Sequence, residues 1–288
     1  MDRILFGDNQ FFGINHLSEE KARSQLMRFK NSEDIIRVLD TAYDLNVKTF
    51  MCTTHDRIGE ICNYVRSNPE RYSDFKIYPC MPYAHKYANM YTELGAIETI
   101  KQFMPGSLIG AVVKGGIMLA KFDFISMMKL LVDAEMRMFE GIQTPVVFLQ
   151  NVVTDLLLGM KMKDFFVAFS EYVREKYSAE AGFITMNMPL LLDTLEECGI
   201  QAPIICSSIN KMGFRMSDVK AYEKVLNERE FRPIAMQVLA AGALKPSEAI
   251  EYVCRFPSVR SILFGASSYD HIKQTKELIE HFSAHRCR

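Results

Sequence analysis

The chain has no surplus charge of either sign. Its 34 basic and 35 acidic side chains leave a formal net charge of -1, so there is no broad basic face for nucleic acid or anionic lipid, and a small-molecule partner is expected. No apolar run approaches the roughly 20 residues that cross a bilayer, and Met1 to Gly7 hold no apolar stretch behind a basic one, so a soluble, cytoplasmic protein without a signal peptide is expected. The seven cysteines are odd in number and form no CxxC pair, which argues against a disulfide framework or a structural zinc site and for reduced, mostly buried thiols. Cys52 and Cys80 stand apart because each closes an expected strand. Low-complexity linkers and internal repeats are also lacking, so nothing marks a second domain.

What is present suits one large core. Of 288 residues, 49% are hydrophobic and 24% charged, and closed barrels of alternating strands and helices need about 250 residues. Eight apolar runs of strand length recur: ILFGDN from Ile4, VKTFMCT from Val47, FKIYPCM from Phe75, VVFLQN from Val146, GFITMN from Gly182, PIICSS from Pro203, PIAMQV from Pro233 and SILFGAS from Ser261. Runs that are apolar throughout imply a parallel sheet covered on both faces. Helical patterns separate them: Asn31 and Ser32 cap an acidic first turn, Pro246 opens a later helix, and Tyr269 to Ile279 forms the last. The stretch 91–143 is irregular and is read as an insertion; Met127 to Met138 look helical there, and Ile109 to Gly116 have the composition of a ninth strand. The expectation is a single (β/α)8 barrel over residues 1–288.

Active sites of such barrels lie at the C-terminal strand ends. The polar residues expected there are Asp8 and Asn9 with Gln10, His55 and Asp56, Tyr83, His85 and Lys86, Gln150 and Asn151, Thr185 and Asn187, then Ser207, Ser208, Asn210 and Lys211. His55 with Asp56, facing Tyr83, His85 and Lys86, is the sharpest group: a His beside a carboxylate as base, a Tyr as acid, a Lys to stabilise an enolate or form an imine. A divalent metal on Asp8, His55 and His85 is a weaker alternative, with no HxH or HExxH spacing behind it. Gly265, Ala266, Ser267 and Ser268 precede the last helix, where barrels commonly hold phosphate; the bland alternative is that a serine merely caps that helix.

Two stretches resemble the aldo-keto reductases: TAYDLNVKTFMCTTHDRIGE, and the pair MQVLAAGALKPSEAIEYV and SVRSILFGASSYDHIKQTKEL. The resemblance implies that family's barrel, an NADPH site at Gly265–Ser268, and a tetrad of Asp, Tyr, Lys and His after strands two to four. The positions corresponding to the tetrad carry Met51 or Cys52, Asp56 or its neighbours, Cys80 and Gln150, and none matches. Three readings therefore stand at this stage. The first is a non-redox lyase, dehydratase or isomerase acting on a polar metabolite, phosphorylated or not. The others are a divergent NADPH-dependent reductase using Tyr83, His85 and Lys86, and an inactive binding subunit. The cofactor and the oligomeric state, including a homo-oligomer, stay open.

Overall fold

Short runs of Ile, Val, Phe and Leu, apolar at every position, bury both faces in a parallel sheet covered by helices, and closing that sheet into a barrel also removes its edges. The computed structural model, which describes residues 1–14, 18–83 and 124–284, has that form. Its strands are β1 Ile4–Gly7, β2 Thr49–Thr53, β3 Lys76–Met81, β4 Val146–Leu149, β5 Glu180–Thr185, β6 Ile204–Ser208, β7 Arg232–Met236 and β8 Ser261–Phe264. They run parallel in sequence order, and β8 closes on β1 with Ile4 opposite Ile262. All eight expected strands are present.

Ten helices occur among the described residues. They are α1 Glu19–Arg28, α2 Ser32–Asp44, α3 Asp56–Ser67, α4 Phe124–Met136, α5 Asn151–Gly159, α6 Lys163–Tyr177, α7 Met188–Glu197, α8 Val219–Glu228, α9 Pro246–Cys254 and α10 Tyr269–Ala284. The helix expected near Met127 is α4, while the ninth-strand candidate at 109–116 lies outside the described residues. Asn31 takes the extended N-cap conformation before α2 without a capping side-chain bond. No helix among the described residues is long and apolar enough to cross a membrane.

Two apolar layers hold the barrel. Leu5, Tyr78, Phe148, Ile204 and Ile234 fill its interior, and a larger outer layer, including Phe50, Phe166, Phe183 and Leu192, seals the strands against the helices. Gly182 in β5 marks how tightly the interior is filled, because a Cβ there would sit 2.3 Å from the Phe148 ring. Overpacking a filled core costs about 1–3 kcal/mol, so Gly182→Ala is expected to lower the melting temperature by several degrees in differential scanning calorimetry.

Candidate active site

The strand ends open into one cleft of about 1060 Å³. Its floor is apolar and rich in sulfur: Met51, Cys80, Ile184, Met236 and Leu263. The burial of the Cys80 and Cys52 thiols pushes their pKa well up and keeps them protonated; each described cysteine assigned a redox state is free.

At the inner end stands Asp8, placed by the bend that follows β1 and 6% exposed. One of its oxygens accepts from Thr53 N at 2.8 Å and from Thr53 Oγ1 at 2.7 Å. Burial disfavours the charged carboxylate and outweighs these bonds, so the pKa of Asp8 is raised. Tyr83, after β3, also lines the cleft. Its burial, reinforced by the negative charges of Asp8 and Asp56, raises its pKa and holds the phenol protonated. Gln150 and Asn151, where β4 turns into α5, line the same end.

The outer end is built by three segments. The loop after β7 contributes Gln237 and Leu239 to Gly242 except Ala240. Gln237, Ala240 and Ala241 hold positive φ angles of 52°, 46° and 55°, a strained geometry for side chains other than glycine and one that clusters at functional sites. The loop after β8 contributes Gly265, Ala266, Ser267 and Ser268, followed by His271, Gln274 and Thr275 of α10. Helix α1 supplies the facing wall through Ser24, Gln25 and Arg28. Arg28 donates to the Ser267 carbonyl, and the Gln25 Oε1 atom is buried with no hydrogen-bond partner among the described residues. Arg215, from the loop after β6, adds a second guanidinium.

Gly265 is required for a reason its motif does not reveal. A Cβ there would lie 2.0 Å from Gln10 Oε1, and Gln10, 6% exposed, is held in place by donating to the Gly7 carbonyl at the end of β1 at 2.8 Å. Gly265→Ala is therefore expected to cost about 1–3 kcal/mol in thermal denaturation, most of it recovered when Gln10→Ala is added, since the double change removes the clash. Ser268 caps α10, its Oγ accepting from His271 N at 3.4 Å, while it also lines the cleft.

The other residues singled out in the sequence divide into two groups. Asp8, Asn9, Gln10, Tyr83, Gln150, Asn151 and Gly265 to Ser268 meet at the cleft. The rest of the described ones are not in its lining. His55 caps α3, its Nδ1 accepting from Arg57 N at 3.2 Å, and its ring stacks on Phe12 with centroids 4.3 Å apart. Asp56 is exposed in the first turn of α3, where an anion suits the helix dipole. Ser207 donates to the Thr185 carbonyl, and Ser208 to Gln237. Asn187 accepts from Ser217, Asn210 brackets Phe214, and Lys211 pairs with Glu248. His85 and Lys86 lie outside the described residues. Among the described residues no group of three His, Cys, Asp or Glu is placed to hold a metal.

The structure resembles solved aldo-keto reductase barrels. Two structures assigned as aldo-keto reductases from Pseudomonas aeruginosa match with TM-scores of 0.60 and 0.59 at 12% and 11% identity, over 98% of this chain and 90% of theirs. A structure assigned as 2,5-diketo-D-gluconic acid reductase B matches at 0.51 and 11% identity, over 98% of this chain and 86% of its own. No family model and no curated protein matches the sequence. The chain thus has the aldo-keto reductase fold, with a cleft whose residues differ from the tetrad the sequence resemblance implies.

Proposed function

We propose that the cleft binds NADPH and reduces a small carbonyl compound, with Tyr83 as the proton donor. The observation that carries this reading is the polarity of one continuous cleft. Its inner end offers two groups whose pKa values are raised by burial, Asp8 and Tyr83, and its outer end offers Arg28, Arg215 and amide groups. Ligand sites commonly enclose about 300–1,000 Å³, so about 1060 Å³ suits an extended dinucleotide together with a substrate. The donor set fits that cofactor: guanidinium groups and the α10 N-terminus for phosphates, and the orphan Gln25 Oε1 for a ligand hydroxyl or amine.

When bound, the cofactor supplies hydride to the carbonyl carbon. The chain does the rest. Tyr83 Oη donates to the carbonyl oxygen and gives up its proton as the C=O electron pair moves onto that oxygen. An alkoxide is a far stronger base than a phenolate, so the transfer runs downhill even with a raised tyrosine pKa. The apolar floor excludes water from the reacting carbon.

One feature of the sequence favours a second reading: the resemblance puts Cys80 and Gln150 at the positions of the family's Lys and His, so Asp8 and Tyr83 would instead serve acid–base chemistry without a nicotinamide, as in a lyase or isomerase. Calorimetric titration with NADPH and NADP+ separates the two. The reductase reading expects micromolar binding, weakened about 10–100-fold by Arg28→Ala, the loss of a hydrogen bond to a charged group. No heat at millimolar cofactor would discard it.

A further inference from the structure

Tyr83 is held by a carboxylate that its own loop does not contain. Glu135, on α4, is 2% exposed. It accepts from Tyr83 N with both oxygens, at 3.0 and 3.2 Å, and from Thr54 Oγ1 at 2.5 Å. Thr54 follows β2 and is fully buried, so one side chain fastens the segments after β2 and β3 to each other. A carboxylate removed from water this completely costs several kcal/mol unless donors meet it, and these are donors that fix loop geometry rather than pack a core.

We infer that Glu135 is a positioning residue that fixes the backbone of Tyr83 and so holds its phenol in the cleft opposite Asp8. This rests on the reading of Tyr83 as the proton donor. Among the described residues, the groups facing Tyr83 include Asp8 and Asp56, whose charges act on it, the His55 ring at 6.2 Å, and Glu135 itself. With the tether cut, the phenol moves toward water and its ionisation returns toward the ordinary tyrosine value.

The test has two readouts, one of which needs no activity. Tyr83 ionisation is isolated as the alkaline absorbance difference between a protein and its Tyr83→Phe partner, measured with and without Glu135→Gln. The inference expects a midpoint displaced downward in Glu135→Gln, with kcat lowered about 10–100-fold, as when a catalytic group is misplaced by about 1 Å, and with unchanged NADPH affinity. An unmoved Tyr83 midpoint in folded Glu135→Gln would overturn it. If Glu135→Gln does not fold, Glu135→Asp, too short to reach both loops, is read in the same way, with a lowered midpoint supporting the inference and an unmoved one overturning it. Should the parent protein neither bind NADPH nor reduce aldehydes, the functional reading fails, while the midpoint still decides the role of Glu135.

Discussion

Tyr83→Phe is expected to lower kcat for carbonyl reduction by about 10²–10⁴-fold, the range for loss of a positioned general acid, and to leave NADPH affinity unchanged. The change deletes one hydroxyl and keeps the ring that lines the cleft beside Asp8 and Gln150. No other described residue of the inner cleft offers a phenol, and the thiol of Cys80 is held in its neutral form by burial. Steady-state kinetics with separate cofactor titrations check the split. A rise in KM with constant kcat would make Tyr83 a binding residue and remove it from the proton transfer.

Asp8→Asn is expected to act in the opposite direction wherever Asp8 is ionised. Ionised Asp8 raises the pKa of Tyr83, so its charge opposes the negative charge that develops on the phenol oxygen in the transition state. Activity of the parent protein should therefore fall as pH rises through the raised pKa of Asp8, and Asp8→Asn should erase that limb, raising kcat about tenfold, or about 1.4 kcal/mol, above that pKa. Stability follows by linkage. A carboxyl whose folded pKa is raised contributes stability that is complete below its unfolded pKa near 3.9 and is lost as pH rises through the folded one. Asparagine carries no charge to desolvate and still accepts from Thr53. Asp8→Asn should therefore melt roughly 2–4 °C higher per kcal/mol recovered in a domain of this size at pH 8, with no gain at acid pH. Scanning calorimetry at both pH values decides it: equal melting temperatures at pH 8 would mean that Asp8 is not desolvated as described.

The barrel was legible because its signal is one-dimensional. An unbroken apolar run such as VVFL in β4 has no helical period to compete with it, and eight such runs leave little but closure. The site was legible only where a polar side chain at a strand end faces the axis, as with Asp8, Tyr83 and Gln150. Ser207 and Asn210 sit at equivalent sequence positions yet spend their hydrogen bonds on Thr185 and Phe214, and a sequence does not say which way a strand-end side chain turns. The wall from α1 was missed because Gln25 and Arg28 belong to a helix rather than a strand end. Glu135 left a trace that could have been followed. It lies on the stripe of Met128, Val132 and Met136, all buried, and a lone carboxylate on the apolar face of a helix has to be met by donors. The glycine of GASS was singled out only as part of a phosphate loop; its crowding by Gln10, more than 250 residues earlier in the chain, left no sign in the sequence.

The most direct test of the account is transfer of label from NADPH carrying deuterium at the reactive C4 position, using small aliphatic and aromatic aldehydes and mass analysis of the alcohol formed. The account predicts alcohol with one deuterium on the former carbonyl carbon, formed by the parent protein and lost in Tyr83→Phe. Aldehyde left unreduced, or alcohol formed without the label, would contradict it.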